Sequence, residues 1–351
     1  MDRIDFRSDT VSWPTLAMRE AMAQARVGDD VYGEDPTVRE LEAAAAALLG
    51  KEAGLFVASG TMGNLVAILA HAQRGEEAIV GHDAHTFIHE AGGMAVLGGV
   101  VPCPLPTDMT GRMDLAQIEA VVRDGDPHSP VSRLILLENS YGSKNGYPIE
   151  PDYFAAVRAI ANRHGLVVHL DGARFFNAAA ALNLAPALLA QDVDSLSVCL
   201  SKGLCAPVGS VLVGSRSFIN RARRMRKLVG GGMRQAGVLA AAGLIALHDM
   251  TSRLTEDHTN ARRLAEGLAR IPGLRVNLDT IKTNIVFFDL TDEFPLDSQQ
   301  LVARLQRENI WLGAINQCQL RAVTHYWISQ EHIDQLLQLI KQLEFRARGE
   351  S

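Results

Sequence analysis

The chain has 351 residues, of which 47% are hydrophobic and 21% charged, and its formal net charge is -6 at pH 7. This length is sufficient for a large core and for two domains. A weakly acidic chain argues against nucleic acid as the main partner. The longest uncharged apolar run, residues 235–247, is shorter than the about 20 residues that a membrane span requires, so we expect no membrane partner.

The cysteines and the first residues of the sequence bear on the compartment. Cys103, Cys199, Cys205 and Cys318 lack the paired C-x-x-C spacing of a zinc site or a redox motif. The opening stretch MDRIDFRSDT has no apolar signal-peptide core. We therefore expect a reduced, cytoplasmic protein.

In chain order, short apolar runs alternate with helix-like stretches, which is typical of an α/β domain with a mostly parallel sheet. Asp35 followed by Pro36 predicts a helix start, with the helix running to about Gly50. The basic run 221–227 is interpreted as a solvated or interface face of a helix. The predicted strands lie at 53–59, 77–81, 133–139, 166–172, 194–201 and 209–214.

The last third of the chain has a different pattern. From Met233 to about Ile271 it contains no proline and keeps helical spacing, which predicts one long or broken helix. Shorter units follow, predicted as strand, helix, strand and helix at 283–290, 296–310, 319–329 and 331–347. We therefore expect a large domain over 1–250 and a smaller α+β C-terminal domain over 251–351.

Polar residues at the ends of the predicted strands are the candidate ligand-binding groups. The strand at 53–59 ends in SGTMGN, where Gly60 and Thr61 open a helix whose free backbone N–H groups could bind an anion. An ordinary strand–helix turn is the alternative. The pattern is neither a dinucleotide fingerprint nor a Walker loop.

Two further strand ends carry charged residues. In HLDGARFFN, Asp171 either caps the next helix or pairs with a buried cation, and the nearby Arg174 is its simplest partner. Lys202 lies in a turn of small residues, where it either points into water or forms a Schiff base. The phosphate-type turn, the aspartate and the lysine together fit pyridoxal phosphate, with the ring nitrogen on Asp171 and the aldehyde on Lys202.

The stretch GHDAHTFIHEAGG carries His82, His85, His89 and Glu90. Zinc is the competing interpretation, but there is no H-E-x-x-H pattern, so we expect no metal. A histidine stacked on the cofactor ring, His85 above the others, fits better. Arg234, in the glycine-rich stretch GGGMRQAG, is either a solvated arginine or a phosphate clamp.

Several longer strings carry a family resemblance: FRSDTVSWPT, VGDDVYGEDPT, SGTMGN, HLDGARFFNA, SVCLSKGL, VGGGMRQAGVLAAAG and RAVTH. Through them the chain resembles, over nearly its whole length, the low-specificity L-threonine aldolases, which are pyridoxal-phosphate enzymes of fold type I. The resemblance implies a mostly parallel large domain, a small C-terminal domain, and a homotetramer whose subunits complete each other's sites. The implied reaction is the reversible cleavage of a β-hydroxy-α-amino acid into glycine and an aldehyde.

The resemblance also implies roles for single residues. Lys202 carries the covalent link to the cofactor, Asp171 pairs with the ring nitrogen and His85 stacks on the ring. The remaining implied binding residues are Gly60, Thr61 and a neighbouring subunit's Arg234 for the phosphate, and Arg174, Arg321, Ser8, Tyr32 and Glu90 for the substrate.

One departure from the family pattern affects the expected base. The family usually reads LENTHN where this chain reads LENSYG, so Tyr141 replaces a histidine expected beside the substrate hydroxyl. A phenol with a pKa of about 10 is a poor base at neutral pH. Either Tyr141 only reshapes the pocket, or His89, or a water near His85, takes over part of the role. An aldolase for aryl β-hydroxy amino acids, a β-eliminating lyase and a non-catalytic cofactor-binding protein remain as alternatives.

Overall fold

A computed structural model describes residues 3–123 and 125–349, so the outer ends of the two predicted domains, residues 1–2 and 350–351, lie outside it. The strands are β1 Ile4–Asp5, β2 Ala53–Val57, β3 Glu76–Gly81, β4 Val101–Leu105, β5 Val131–Glu138, β6 Val167–Gly172, β7 Ser195–Cys199, β8 Ser210–Gly214, β9 Leu274–Arg275, β10 Ile285–Leu290, β11 Ile310–Trp311, β12 Gly313–Ala314 and β13 Gln319–Val323.

The helices are α1 Leu16–Ala23, α2 Pro36–Leu48, α3 Gly60–His71, α4 His85–Ile88, α5 Gly93–Val96, α6 Leu115–Ala120, α7 Pro151–His164, α8 Phe175–Leu182, α9 Pro186–Leu189, α10 Arg216–Leu228, α11 Gly237–Ile245, α12 Leu254–Leu268, α13 Ser298–Arg307 and α14 Gln330–Gly349. None of the described helices combines the length and apolar character that crossing a bilayer requires.

A seven-stranded sheet of order β2-β8-β7-β6-β5-β3-β4 forms the centre of the large domain. Only β8 runs antiparallel to its neighbours. The other strands run in one direction, so their carboxyl ends meet at one edge of the sheet. The mostly parallel sheet predicted from the sequence is confirmed.

The N-terminal segment joins the two parts of the molecule. Its strand β1 pairs with β11 of the C-terminal part of the chain. Phe6 is buried in a hydrophobic cluster formed by α12, α13, α14 and a four-stranded antiparallel sheet of order β12-β13-β10-β9. A separate, larger cluster fills the space between the seven-stranded sheet and its helices. The segment just after Phe6 is thereby placed where the two clusters face each other.

Local signals explain which elements were predicted well. Asp35 accepts hydrogen bonds from the backbone N–H groups of Thr37 and Val38, so the predicted helix start at Pro36 is confirmed. Strand β4 was missed because its sequence VPCPL carries two prolines, which a sheet tolerates at its edge. The long helix predicted from Met233 is broken, with a wider π-helical turn at Ala246–Met250.

The interpretation of run 221–227 as a solvated or interface face is wrong for Arg226. This side chain is buried, pairs with Asp30 at 2.7 Å and donates to the carbonyl oxygen of Phe56 at 2.7 Å. An amphipathic helix explains the result, because residue 226 falls on the same side of α10 as the buried Ala222 and Ile219.

Candidate active site

Four adjacent parallel strands place charged groups at one edge of the sheet. Lys202 follows β7, and Asp171 is the second-last residue of β6. Glu138 is the last residue of β5, and His85 is the first residue of α4, just after β3. Because these strands lie side by side in the order β7-β6-β5-β3, the four groups converge. A cavity of about 470 Å³ lies there, lined by Asp83, His85, His89, Glu138, Ser140, Gly142, Ser143, Ala173, Arg174, Lys202, Phe287, Ala314, Ile315, Gln319 and Arg321.

Asp171 is buried behind this cavity and is held from two sides. The Nδ2 atom of Asn64 donates to its Oδ2 atom at 2.9 Å, and the backbone N–H of Ala173 donates to Oδ1 at 2.9 Å. The alternative prediction of a local pair between Asp171 and Arg174 is wrong, because Arg174 turns to a different carboxylate.

That carboxylate is Asp9, which the sequence did not single out. Arg174 donates to it through Nε at 2.8 Å and through NH2 at 2.7 Å, a two-bond geometry that fixes both groups. Asp9 is 0% exposed and also accepts from Nδ2 of Asn284 at 3.2 Å. Burial opposes ionisation, but the Arg174 guanidinium holds the pKa of Asp9 well below its usual range.

Arg321 reaches the same cavity from β13 and is held differently. Its NH2 group donates to the carbonyl oxygen of Arg7 at 3.2 Å, whereas its buried Nε has no hydrogen-bond partner among the described residues. Burial and the nearby Arg174 charge lower the pKa of Arg321. Ser8 caps the short turn that carries Asp9, the partner of Arg174, and does not itself line the cavity.

His85 and Glu90 form a hydrogen-bonded pair at the edge of the cavity. Nδ1 of His85 lies 3.0 Å from Oε1 of Glu90, and this bond raises the pKa of His85 although burial opposes the shift. Glu90 also accepts from Asn64 at 2.8 Å, and burial raises its pKa. The ligand atoms of His85, Glu90 and Asp171 lie within 4.8 Å of one another, a spacing at which they could hold a metal ion. The absence of a metal stays a prediction.

Glu138 is a second residue that the sequence analysis missed. Its carboxylate accepts backbone hydrogen bonds from His85 at 2.9 Å and from Gly142 at 2.8 Å. Burial and the charge of Asp171 raise its pKa to about 7, so it titrates near neutral pH. The motif LENSYG contained this signal, because a glutamate that ends an apolar strand is a strand-end carboxylate of the same kind as Asp171.

Tyr141 is buried, and its hydroxyl donates to Oδ1 of Asp83 at 2.9 Å. Its ring packs so closely on Gly81 and Gly111 that a Cβ atom at either glycine would approach it to 2.5 Å or less. Burial and the charge of Glu138 raise the pKa of Tyr141 far above the usual range. Tyr141 does not line the cavity, whereas Asp83 does. A catalytic role for Tyr141 stays a prediction.

His89 is exposed and lines the cavity. Its ring centroid lies 5.5 Å from that of His85. Partial burial and the His85 charge lower the pKa of His89, so the neutral, proton-accepting form of this imidazole is favoured.

Comparisons with known proteins agree with this geometry. The family profile described as beta-eliminating lyase matches residues 5–291. The chain is 46% identical to low-specificity L-threonine aldolase 1 of Arabidopsis thaliana, over 97% of this chain and 96% of that protein. It is 44% identical to the low specificity L-threonine aldolase of Escherichia coli O157:H7, over 94% of this chain and 96% of that protein. The chain belongs to the low-specificity L-threonine aldolase family.

A solved structure confirms the predicted fold for this member of the threonine aldolase family. The threonine aldolase of Leishmania major superposes with a TM-score of 0.82 at 21% identity, over 97% of this chain and 99% of that one. The predicted fold type I architecture, a mostly parallel large domain with a smaller C-terminal domain, is therefore confirmed.

In this threonine aldolase family member the predicted phosphate end lies at the start of α3. Ser59 caps this helix by accepting from the backbone N–H of Met62 at 3.1 Å. A Cβ atom on Gly60 would come within 2.8 Å of the Cys199 sulfur, so a side chain there would collide with the strand that leads to Lys202. Gly60 and Thr61 are at least partly accessible, which leaves the helix N-terminus open to an anion.

Arg234 and Tyr32, both predicted in the site, lie outside the cavity of this single chain. The Arg234 side chain is 59% exposed and pairs with Asp29 at 3.0 Å, and Tyr32 is 76% exposed. Neither side chain lines the cavity. Glu90, predicted on the substrate side, also does not line it, because it is turned towards Asn64 and His85.

Proposed function

We propose that this protein is a pyridoxal-phosphate-dependent aldolase that cleaves L-threonine, L-allo-threonine and related β-hydroxy-α-amino acids into glycine and an aldehyde. The observation that carries the proposal is the meeting of Lys202 and Asp171 at adjacent strand ends, beside a cavity into which Arg174 and Arg321 point. The 46% identity to a low-specificity L-threonine aldolase over nearly the whole chain supports the choice of reaction.

The residues present fit pyridoxal phosphate. The partly exposed amine of Lys202 lines the cavity and matches the aldehyde, and the buried Asp171 carboxylate matches the ring nitrogen. The open helix N-terminus at Gly60, a glycine that tolerates no side chain, matches the phosphate. Lys202, Asp171, Gly60 and Thr61 would hold the group, and His85 would stack on its ring. When bound, the cofactor supplies an electron sink for the bond that breaks at the substrate's Cα.

The two arginines provide the anion site for the amino acid. Arg174 is immobilised by Asp9, and Arg321 lines the cavity while donating to the carbonyl oxygen of Arg7. A substrate carboxylate between the two guanidinium groups would fix the orientation of Cα. Orientation matters because the breaking bond must stand perpendicular to the ring for its electrons to be accepted.

The β-hydroxyl proton must leave before the Cα–Cβ bond breaks. His89, whose lowered pKa keeps it neutral, is positioned on the cavity wall to accept that proton at a ring nitrogen, directly or through a water. Tyr141 is assigned a structural role in this scheme, since its hydroxyl is engaged by Asp83. Asp83 itself faces the cavity and is fixed by Lys144 at 2.7 Å.

The active form is proposed to be a cytoplasmic homotetramer whose subunits share sites. The exposure of Arg234 and Tyr32 in the single chain supports this, because both side chains are accessible to a neighbouring subunit. Sedimentation or light scattering tests the assembly. A monomer that retains full activity would contradict the sharing of sites.

The test of the activity is aldehyde release from L-threonine, L-allo-threonine and L-phenylserine by the purified protein saturated with cofactor, coupled to an aldehyde reductase. Release from either threonine isomer supports the proposal, and the rate ratios define selectivity. Release from phenylserine alone would instead identify an aryl-specific aldolase. Lys202→Ala is the matched control, because it removes the amine and is expected to abolish both turnover and the covalent cofactor link.

No aldehyde from any of the three substrates, in the presence of a visible cofactor band, would overturn the aldolase proposal. The same preparation would then be assayed with β-chloroalanine and serine for pyruvate, the product of β-elimination. Pyruvate formation would assign the chain β-elimination, the activity that its family profile describes.

A further inference from the structure

A line of buried polar side chains runs from Asp171 to the far end of helix α3. Asn64 and His71 lie seven residues apart on α3, on the side that faces the sheet, and His169 and Ser195 are directly opposite each other on β6 and β7. Asn64, His169 and Ser195 are all buried, with accessibilities of 1% or less. Polar groups in such a place are costly unless they are hydrogen-bonded, and each of these has partners.

The orientation of Asn64 is fixed by what it touches. One amide nitrogen, Nδ2, lies 2.9 Å from Oδ2 of Asp171 and 2.8 Å from Oε1 of Glu90. Carboxylate oxygens accept hydrogen bonds, so the amide must present its two N–H groups to them. Oδ1 of Asn64 must therefore face the other way, where Nε2 of His169 lies at 3.2 Å.

The direction of every other hydrogen bond follows from that one. Oδ1 of Asn64 can only accept, so Nε2 of His169 carries the proton and donates to it. Burial lowers the pKa of His169 to about 3, so the ring is neutral and its Nδ1 is an acceptor. The hydroxyl of Ser195, 2.8 Å from Nδ1, must then be the donor.

The same logic extends the chain by one more residue. Since the Ser195 proton is used toward His169, its oxygen accepts from Nε2 of His71 at 2.8 Å. Burial lowers the pKa of His71 to about 3 as well. The His71 ring is held parallel to the ring of Phe218 at a centroid distance of 4.1 Å. All the donors therefore point one way, toward Asp171 and Glu90.

We propose that His71, Ser195, His169 and Asn64 form a one-way donor chain that positions the Asp171 carboxylate for the cofactor's ring nitrogen. Each bond in it polarises the next, and the chain ends on a carboxylate whose remaining lone pairs are left for a ring N–H. His169 is thus a positioning residue, two places before Asp171 on the same face of β6. The inference rests on the proposed cofactor and concerns how this chain holds it.

The test compares two buried serines of β7. Ser195→Ala breaks the chain, whereas Ser197→Ala removes a hydroxyl of equal size from the same face of the same strand, and the Oγ atom of Ser197 has no hydrogen-bond partner in the part of the chain that the structure describes. The readouts are the dissociation constant of pyridoxal phosphate, measured by fluorescence titration of the stripped protein, the pH midpoint of the visible band, and kcat against KM.

We expect Ser195→Ala to weaken cofactor binding about tenfold, the size of effect that follows from weakening a hydrogen bond to a charged group. The pH midpoint should shift and kcat should fall, while KM stays near the wild-type value. Ser197→Ala should match the wild type in all of these. Equal behaviour of the two variants, both melting like the wild type, would overturn the proposal.

A second pair of variants guards against a folding defect. His169→Gln keeps a donor toward Asn64 and an acceptor toward Ser195, whereas His169→Leu keeps neither. Recovery of cofactor affinity in the glutamine variant relative to the leucine variant supports the donor chain, and no difference between them refutes it. If the wild-type protein does not bind pyridoxal phosphate at all, the proposed function fails instead, which distinguishes the two failures.

Discussion

The cavity has two walls, and each contributes one arginine in a different state. On the large-domain wall, Arg174 is joined to the buried Asp9 by two hydrogen bonds. On the small-domain wall, Arg321 is held by a single backbone carbonyl and keeps an unused Nε. Two residues of the same type therefore have different roles in the cavity. The charge of Arg174 is already balanced by Asp9, whereas the charge of Arg321 remains available to a ligand.

The largest effect is expected from Arg174→Gln. Removing the guanidinium leaves Asp9 as a buried charge without its cation, which typically lowers the free energy of unfolding by about 3–5 kcal/mol. Thermal and urea unfolding measure the loss, with Arg321→Gln as the control of equal chemistry. An Arg174→Gln protein as stable as the wild type would show that Asp9 does not depend on this pair.

Arg321→Gln should spare stability and impair substrate binding. Losing the charged donor facing the substrate carboxylate should raise KM about a hundredfold, while the affinity for the cofactor stays unchanged. Arg321→Lys should fall between, because lysine keeps the charge and loses the planar fork. Steady-state kinetics with L-threonine decide, and an unchanged KM in the glutamine variant would remove Arg321 from the substrate site.

His89→Phe tests the proton acceptor on the same cavity. His89 is exposed, so its replacement should leave the melting temperature unchanged. If His89 takes the hydroxyl proton, kcat should fall about a hundredfold or more, the size expected for loss of a general base. Unchanged turnover would exclude His89 and return the role to a water near His85.

Tyr141→Phe should have a small effect. The hydroxyl supports Asp83, which also accepts from Lys144 and Thr107 at 2.7 Å each, so kcat should stay within about threefold of wild type. A loss of about a hundredfold or more is the size expected for removal of a general base. Measuring kcat over pH 6 to 9 would reveal such a role.

The last prediction concerns the pH dependence of stability. Burial raises the pKa of Glu138 to about 7, whereas the pKa of a glutamate in the unfolded chain is about 4.3. Between these values the folded state binds more protons, so rising pH lowers the stability of the wild type. Glu138→Gln removes this dependence. Its melting temperature relative to wild type should therefore increase from pH 5 to pH 8, and a constant difference would refute the assignment.

Most of the large domain could be predicted from the sequence, because its strands and helices are marked by patterns of neighbouring residues. Alternating apolar runs mark buried strands, and groups that follow consecutive parallel strands meet at one edge. Lys202 and Asp171 were found in this way. The same rule points to Glu138, which closes β5 three residues before Tyr141.

Asp9 and the donor chain could not be predicted in the same way. Asp9 lies 165 residues from Arg174 in sequence, and no spacing rule connects them. Asn64 and His169 sit inside quoted motifs, but their partners are set by how α3 crosses the sheet. Arg226 was misjudged for the same reason, since its cation is buried against Asp30 from a distant loop.

The N-terminal segment ties the start of the polypeptide to its end, and this orders how the site can form during synthesis. The carbonyl oxygen of Asp5 accepts from His325 at 2.9 Å, that of Arg7 accepts from Arg321, and the Asp9 carboxylate accepts from Asn284. Domains generally fold as they leave the ribosome, N-terminal parts first. The large hydrophobic cluster ends at Leu254, so the seven-stranded sheet can assemble, with Arg174 available to Asp9, before Asn284, Arg321 and His325 have been synthesised. A nascent chain halted before residue 284 would therefore hold a folded sheet but lack the contacts that Asn284 and Arg321 make beside the proposed substrate site.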